Sequence, residues 1–419
     1  YKDLKRELQQ LGVEFKTQTD TEVLLEAYTR WGKDCLIKFD GMFAFAIYDK
    51  QLKQLFLARD AFGEKPLYYS YLNGSIVFGS ELKQISGLPH FNSSTDTNLI
   101  AEYLCLQYID QDRTIFKNAY KLKPGHYIEF KSDAPKEQIQ FFSFEPKDNE
   151  AAPVLIDDLA DELEDLLIKS LKRRLIADVP LGAFLSGGVD SSLVVALITK
   201  KLNIPVKTFS IGFENSDKSE HMYARQMASH FSTEHYEKLL PTNDLPEVSK
   251  IGSFIDDLNA DTSLLPTYKL CEFAKKNVTV AISGDGADEL FGGYSRYQRA
   301  LTESRSNPLE IGKKYYSKEI LIFNENEAIH ALDYPSDDFK NHLQELRKEL
   351  VTNSIYSAVR KTDTDHYMPG AVLAKVDRMS MAHALEVRTP FLNVEISRFC
   401  EKLPNSMLFD SSRGKILLK

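Results

Sequence analysis

The sequence predicts a protein of two parts, in which antiparallel hairpins and helices (α+β) precede a doubly wound parallel sheet (α/β) with a helical C-terminal part. Short aromatic and β-branched runs within residues 42–80 are separated by Asp, Gly and Asn, which is typical of antiparallel hairpins. Beyond residue 150, nearly continuous apolar runs alternate with helical patterns, which indicates a parallel sheet covered on both faces. The length of 419 residues also exceeds what one hydrophobic core usually serves.

Composition and charge narrow the class of partner. The chain has 43% hydrophobic and 27% charged residues and a net charge of -9, so we expect no nucleic acid and no membrane as partner. No uninterrupted apolar segment approaches the length of a membrane span. The four cysteines lie far apart without metal spacing, so we expect reduced thiols in a cytoplasmic protein.

The first part should open with two helices, "YKDLKRELQQLG" and "DTEVLLEAYTRWG". Thr19 or Asp20 is the expected N-cap of the second helix, and Gly32 its end. Strands are predicted in "GMFAFAIYD", "QLFLARD", "PLYYSYLNG" and "SIVFGSE". A connecting helix after Asn98, the turn "KLKPGHY" and edge strands follow, and a linker rich in Pro and acidic residues ends near Pro153.

The second part alternates strands with helices. The amphipathic helix "IDDLADELEDLLIKSLKRRL" comes first, and from Leu301 onward the chain is mainly helical. The segments between them are predicted in the order strand "VPLGAFLS", helix "SSLVVALITKKL", strand "VKTFSIGF", helix "SEHMYARQMASHF", strand "TEHYEKLL", helix "PTYKLCEFAKK" and strand "VTVAISG". We therefore place one domain with its linker at residues 1–150 and a second at 151–419.

Two loops at predicted strand ends resemble each other. "LSGGVD" and "ISGDGAD" each open with Ser-Gly, contain a second Gly and close on an Asp just before a helix. Such glycines free backbone N–H groups to face a ligand, and a helix N-terminus adds positive potential, so the pattern suits phosphate. Asp190 and Asp288 cannot bind an anion directly. We therefore expect Mg²⁺ between these carboxylates and the phosphates.

Other interpretations of "FLSGGVDSSLV" fit less well. A nucleophile elbow needs G-x-S-x-G, and Phe184 occupies the place of the first Gly, which disfavours Ser186 as a nucleophile. A Walker loop needs a Lys after the glycines, and "GDGADE" lacks the third Gly of a dinucleotide fingerprint. A plain strand-to-helix turn capped by Ser191 leaves both glycines and the Asp unexplained.

The motifs together resemble a known family. "SGGVDSS" is similar to the pyrophosphate-binding loop of ATP pyrophosphatases, and "SGDGADELFGGY" with "VDRMSMAHALEVRTPFLN" resembles the glutamine-hydrolysing asparagine synthetases. "TDTEVLLEAY", "GMFAFAIYD", "LARDAFGEKPLYY" and "FGSELKQI" resemble the second half of that family's glutaminase domain. The resemblance implies an Ntn-type glutaminase sandwich without its N-terminal part, followed by an ATP-pyrophosphatase domain.

The activity implied by the resemblance is amidation of aspartate to asparagine through an acyl-adenylate. Glutamine supplies the ammonia, ATP and Mg²⁺ are used, and AMP and pyrophosphate are released. The resemblance also implies a homodimer. Amidation of another carboxylate, such as a sugar uronate or a peptide, stays open, as does an enzyme that uses free ammonia. A non-catalytic ATP-sensing protein would lose the metal carboxylates, and a thiouridylase-like enzyme would need a reactive Cys near the loop, for which Cys271 is the candidate.

The resemblance also implies site residues. The pyrophosphate and Mg²⁺ would be held by Ser186, Gly187, Gly188, Asp190, Ser191 and Ser192. The adenosine would be flanked by Leu185, Ile211, Ser283 and Gly284, and Asp288 would share the metal. Asp285 is assigned to the acceptor substrate, in a pocket with Asp257 and Asp261. The sequence "FIDDLNADTSLLP" around these two residues departs from the D-E-P motif that is usual in the family. Positive charge would come from Lys375, Arg378 and Lys415, with Glu386 as partner of Lys415 or as a substrate contact.

The largest departure concerns the glutamine nucleophile. Class II amidotransferases begin with a Cys whose α-amino group activates its own thiol, whereas this chain begins with Tyr1. Asp20 matches a residue expected to hold the glutamine amino group, and Cys35 has no terminal amine and is not assigned as nucleophile. The chain as given is therefore expected not to hydrolyse glutamine. We expect that the native chain extends upstream, because half a domain would expose core strands; free ammonia is the alternative.

Overall fold

The structure is a computed structural model. It describes residues 1–110, 112–131, 137–149, 155–214, 220–241, 245–255, 257–304, 315, 320–332, 337–350 and 354–419. The described strands form a four-stranded sheet, a three-stranded sheet and a five-stranded sheet. No helix in these ranges is both long and apolar enough to span a bilayer.

The first part carries the two smaller sheets, which are antiparallel. Its strands are β1 (Ala44–Asp49), β2 (Gln54–Arg59), β3 (Tyr68–Leu72), β4 (Ser75–Gly79), β5 (Ala119–Lys121), β6 (His126–Phe130) and β7 (Ile139–Gln140). The orders are β1-β2-β6-β7 and β4-β3-β5. The predicted hairpins β1–β2 and β3–β4 are confirmed by their antiparallel register. The prediction of a turn at "KLKPGHY" was incomplete, because a strand lies on each side of it. β5 belongs to the three-stranded sheet and β6 to the four-stranded sheet.

The helices of the first part follow the predicted pattern. They are α1 (Lys2–Gln10), α2 (Asp20–Trp31), α3 (Leu82–Ser86) and α4 (Thr97–Leu106). The hydroxyl of Thr19, not the carboxylate of Asp20, accepts from the backbone N–H of Glu22 and caps α2. Gly32 ends this helix with a φ of 58°, a conformation that favours glycine. Residues 150–154, which contain the predicted linker end and domain boundary, lie outside the described ranges.

The second part is built around the predicted parallel sheet. Its strands are β8 (Leu181–Phe184), β9 (Lys207–Phe213), β10 (Glu234–Leu240), β11 (Val280–Ile282) and β12 (Glu386–Arg388). The order is β10-β9-β8-β11-β12, and every neighbouring pair is parallel. Ala183 faces one buried apolar cluster and Phe184 packs with Phe209 in another, so both faces of the sheet are covered.

Helices surround this sheet and continue to the C-terminus. They are α5 (Ile156–Arg174), α6 (Val189–Ala196), α7 (His221–Phe231), α8 (Leu245–Gly252), α9 (Leu264–Ala274), α10 (Ala287–Phe291), α11 (Ser295–Ser304), α12 (Glu325–Leu332), α13 (Asp337–Glu349), α14 (Ile355–Thr362), α15 (Ala374–Met381) and α16 (Val394–Cys400). A π-helical stretch, Asp363–Leu373, leads directly into α15. The predicted helical character beyond Leu301 agrees with the described residues there.

Candidate functional site

The two glycine loops lie side by side at one edge of the parallel sheet. β8 and β11 are direct neighbours, with Ile282 opposite Ala183, so the loops that leave their carboxyl ends are adjacent. A Cβ on Gly284 would lie 3.1 Å from the Cβ of Asp190 and 3.1 Å from the backbone nitrogen of Ser191. The absence of a side chain at Gly284 therefore lets the loops touch.

The first loop is held by its own serines. Gly187 has a φ of +86°, and a Cβ there would lie 2.5 Å from the backbone nitrogen of Ala224 in α7. The hydroxyl of Ser191 accepts from the backbone N–H of Ser186 at 3.1 Å, and the hydroxyl of Ser186 accepts from that of Gly188 at 3.1 Å. These bonds fix the loop in a tight turn just before α6 begins.

The second loop is equally constrained. Gly286 has a φ of +88° and lies against the side chain of Leu392. The Ser283 hydroxyl donates to the carboxylate of Asp285, and the Ser283 backbone N–H donates to the carbonyl of Arg388. The turn places Asp288 near the start of α10. The sequence echo between the two loops therefore corresponds to a geometric one.

Lys415 joins the two loops. Its ammonium nitrogen lies 2.5 Å from Oδ2 of Asp190 and 2.7 Å from Oδ1 of Asp288. Burial disfavours a charged lysine, but the two carboxylates outweigh it and raise the pKa of Lys415. Burial and the charge of Asp288 raise the pKa of Asp190 to about 6 despite the ammonium. Gly293 permits this approach, because a Cβ there would overlap the Lys415 side chain.

Two polar atoms in the first loop region have no protein partner within the described ranges. These are Oδ1 of Asp190 and the hydroxyl oxygen of Ser192, both buried. A buried polar atom without a hydrogen bond is costly, so such atoms are expected where a ligand completes the site. The described residues contain no cluster of three or more His, Cys, Asp or Glu side chains arranged for a metal. Two carboxylates with phosphate oxygens suit Mg²⁺, which needs few protein ligands.

Lys375 belongs to a second polar group. Its ammonium donates to the Ser263 hydroxyl at 2.7 Å and to Oδ2 of Asp261 at 3.3 Å. Burial alone would raise the pKa of Asp261, but the Lys375 charge and the bonds from Ser263 lower it below its usual value. Sequence reasoning had not assigned Ser263 a role. The sequence feature that could have identified Ser263 is the polar run "NADTS", which also contains Asp261.

Arg378 contacts the first part of the chain, and Glu386 pairs with Arg388. Arg378 donates to the carbonyl of Ser80 at 2.8 Å and lies over the ring of Tyr68, so it contacts the first part of the chain. Glu386 accepts from Arg388 at 2.7 Å. The expected pairing of Glu386 with Lys415 is wrong: the Lys415 side chain is directed to Asp190 and Asp288 on the two loops.

The remaining predicted residues divide between the two parts. Leu185 is buried and donates its backbone N–H to Phe209, and Ile211 lies two residues farther along β9, so both are near the loop edge of the sheet. Asp20 is an exposed residue in the first turn of α2. Cys35 is buried, and burial raises the pKa of its thiol to about 12, which does not suit a nucleophile. Cys271 is buried with a raised pKa as well.

Similar proteins share both parts of the chain. Residues 162–419 match the asparagine synthase family, and residues 1–142 match a glutamine amidotransferase domain. Asparagine synthetase [glutamine-hydrolyzing] 1 of Bacillus subtilis is 32% identical over 100% of this chain and 71% of its own length. A putative asparagine synthetase of Mycobacterium tuberculosis is 31% identical, and asparagine synthetase 3 of Bacillus subtilis is 30% identical. Each of these two alignments covers 100% of this chain and 70% of the relative.

Proposed function

Because the chain belongs to the family of glutamine-hydrolysing asparagine synthetases, we propose that it converts aspartate to asparagine. Membership of this family makes the protein a carbon–nitrogen ligase that performs ATP-dependent amidation with glutamine as nitrogen source. In the proposed reaction, the aspartate side-chain carboxylate attacks ATP and forms an acyl-adenylate with release of pyrophosphate. Ammonia then attacks the acyl carbon, the amide forms and AMP leaves.

The observation that carries the proposal is the position of Lys415 between the two glycine loops. The departing pyrophosphate gains negative charge, and preorganised positive charge stabilises such a transition state. The Lys415 ammonium is already fixed at this point by Asp190 and Asp288. In the proposal these carboxylates hold Mg²⁺, whose chemistry when bound is to neutralise charge on the phosphates.

The loops supply the other donors. Gly187 and Gly188 are proposed to bring the loop backbone close to the phosphates, and Ser192 offers a buried hydroxyl without a protein partner among the described residues. Ser186 and Ser191 keep the turn in shape through their mutual hydrogen bonds. Leu185, Ile211, Ser283 and Gly284 are proposed to flank the adenosine.

The acceptor is proposed to bind on the side of Lys375. The Lys375 ammonium donates hydrogen bonds to Asp261 and Ser263, which fix its position. Asp285 and Glu386 are proposed to contact the acceptor, and Arg378 to hold the first part against α15. A second candidate acceptor, such as a sugar uronate or a peptide carboxylate, would differ in this pocket and keep the ATP loops.

The organisation of the chain forms part of the same proposal. Residues 1–150 would form the glutaminase domain with its linker, residues 151–419 the synthetase domain, and two chains a cytoplasmic homodimer. Asp20 would hold the amino group of glutamine. All four cysteines are buried, so none is placed as a nucleophile toward glutamine. Glutamine and free ammonia must therefore be tested separately as nitrogen donors.

Pyrophosphate release from ATP and Mg²⁺ tests the function. We expect release with aspartate and ammonium, formation of asparagine, and loss of both in Asp190→Ala. Asp178→Ala, at an exposed aspartate outside the loops, is the matched control and should retain activity. A parallel assay with glutamine in place of ammonium measures the glutaminase function. Turnover with a uronate or peptide carboxylate and none with aspartate would overturn the proposed acceptor.

A further inference from the structure

An ion pair ties the two parts of the chain together beside Lys375. The ammonium of Lys121, at the end of β5, lies 2.9 Å from Oδ2 of Asp257, and each side chain is 13% exposed. The same ammonium donates to the carbonyl of Ile109 at 2.6 Å. A charge pair that is this far withdrawn from water cannot lose one member cheaply, because the other is left poorly solvated. Lys121 therefore holds Asp257 in place from the first part of the chain.

Backbone pairing strengthens the same connection. The backbone N–H of Ala260 donates to the carbonyl of Gln107 at 2.8 Å, and the Gln107 side-chain amide donates back to Ala260 at 3.1 Å. Tyr108 and Asn259 form an antiparallel bridge next to these bonds. We name residues 257–263 the acceptor segment. The first part of the chain thus contacts this segment by an ion pair at one end and by backbone pairing in its middle.

The acceptor segment in turn determines where Lys375 points. The Asn259 side-chain amide donates to the carbonyls of Gly370 and Ala371, just before α15, and its oxygen accepts from the backbone N–H of Asp261. Asp261 is locked by the backbone N–H of Ser263 at 2.8 Å. The Lys375 ammonium then rests on Asp261 and Ser263. A continuous set of contacts therefore leads from Lys121 to Lys375.

We propose that Lys121 is a positioning residue for acceptor binding, which it supports through Asp257 and the acceptor segment. This inference rests on the proposed function, because Lys375 is proposed there to face the acceptor. Lys121 lies on a strand of the first part and does not belong to either glycine loop. The pyrophosphate side of the site, with Asp190, Asp288 and Lys415, is built from other contacts. Loss of Lys121 should therefore weaken acceptor binding and leave ATP binding intact.

Lys121→Met tests the inference by separating two Michaelis constants. We expect the KM for aspartate to rise about tenfold, because small displacements of a positioning group weaken binding strongly. The KM for ATP should stay within about twofold of the wild-type value. Lys121→Arg, which keeps the positive charge, should restore most of the affinity for aspartate.

Lys123→Met is the matched control. Lys123 lines the same cavity of about 300 Å³ between the two parts, and within the described residues it has no ion pair to the acceptor segment. It should keep the wild-type KM for aspartate. Asp257→Asn should behave like Lys121→Met, and the double variant should be no worse than either single one, because both changes remove one interaction. Equal KM values for aspartate in Lys121→Met, Lys123→Met and wild type would overturn the proposal.

Hydrogen–deuterium exchange separates this inference from the proposed function. If wild-type protein shows no turnover with aspartate, the proposed acceptor is wrong, and exchange then decides the positioning role alone. Faster exchange of the acceptor segment in Lys121→Met than in Lys123→Met supports the role. Unchanged exchange in both variants overturns it.

Discussion

The ammonium nitrogen of Lys415 lies 2.5 Å from Oδ2 of Asp190, although 225 positions separate the two residues in the chain. This ion pair links the C-terminal segment of the chain to the first glycine loop. The same ammonium also forms an ion pair with Asp288 on the second loop. One ammonium thus contacts both carboxylates at the point where the loops meet.

Lys415→Met should remove most of the synthetase activity. The variant loses the positive charge that stabilises the leaving pyrophosphate, and removal of one preorganised donor typically costs about 100-fold or more in kcat. The rate of pyrophosphate release with ATP, Mg²⁺, aspartate and ammonium measures the effect. Lys402→Met, at an exposed lysine, is the control and should match wild type. Retention of more than about a tenth of wild-type kcat in Lys415→Met would refute the assigned role.

Asp288→Asn should raise the concentration of Mg²⁺ needed for half-maximal activity. The neutral amide keeps the shape of the side chain and removes one of the two charges proposed to hold the metal. A shift of about tenfold or more is expected, because loss of a metal-site contact typically weakens metal binding by that factor. Titration of Mg²⁺ in the pyrophosphate assay gives the value, and Asp178→Asn serves as control. Identical titration curves for Asp288→Asn and wild type would argue against a metal at this position.

Gly187→Ala should destabilise the first loop. Gly187 has a φ of +86°, and its added methyl group would meet the backbone of Ala224 at 2.5 Å. The unfavourable backbone conformation and the overlap together should cost about 2 kcal/mol or more in the free energy of unfolding. Chemical denaturation followed by circular dichroism measures this cost.

Gly188→Ala provides the control within the same loop. Gly188 has an ordinary φ of -69°, and its added methyl group would meet only the Ser186 hydroxyl, at 3.2 Å. The loss of stability should be below about 1 kcal/mol. Equal losses in the two variants would show that the positive φ of Gly187 is not what the loop requires.

Local sequence patterns were sufficient for most of the fold. The alternation of apolar runs identified four of the five strands of the parallel sheet, and Thr19 and Gly32 correctly limited α2. The fifth strand, β12, was missed because its three residues lie in a region whose pattern is mainly helical. The echo between the loops placed Asp190 and Asp288 on one site because parallel strands end at the same edge. The short strands β5 and β6 were harder to identify. They flank a Pro-Gly turn, which masks the strand pattern around it.

Ion pairs between residues far apart in the chain could not be predicted from the sequence. Glu386, which lies much closer in sequence, was expected as the partner of Lys415 or as a substrate contact, whereas the folded chain brings Lys415 to Asp190. The ion pair between Lys121 and Asp257 joins two parts of the chain that show no common pattern. Such contacts depend on how distant segments of the chain pack, and neither hydrophobic periodicity nor loop chemistry encodes that packing.

Glu64→Gln should reduce the pH dependence of stability. Glu64 is buried and accepts from the Thr389 hydroxyl, with Arg174 3.5 Å away. Burial raises the pKa of this carboxyl from 4.5 to about 7, even though the Arg174 charge opposes the change. Between these two pH values the folded protein keeps a proton that the unfolded chain has released. This contribution to stability is therefore complete below pH 4.5 and is lost as the pH rises to about 7.

The size of the effect and its control follow from the same linkage. A shift of this extent corresponds to a loss of up to about 3 kcal/mol across the window. Glutamine at position 64 resembles the protonated carboxyl at every pH, so the free energy of unfolding of Glu64→Gln should fall less steeply than that of wild type. Urea denaturation at several pH values through the window measures both slopes. Glu14→Gln, at an exposed position, should reproduce the wild-type slope. Parallel curves for Glu64→Gln and wild type would mean that Glu64 is already ionised in the folded protein throughout this range.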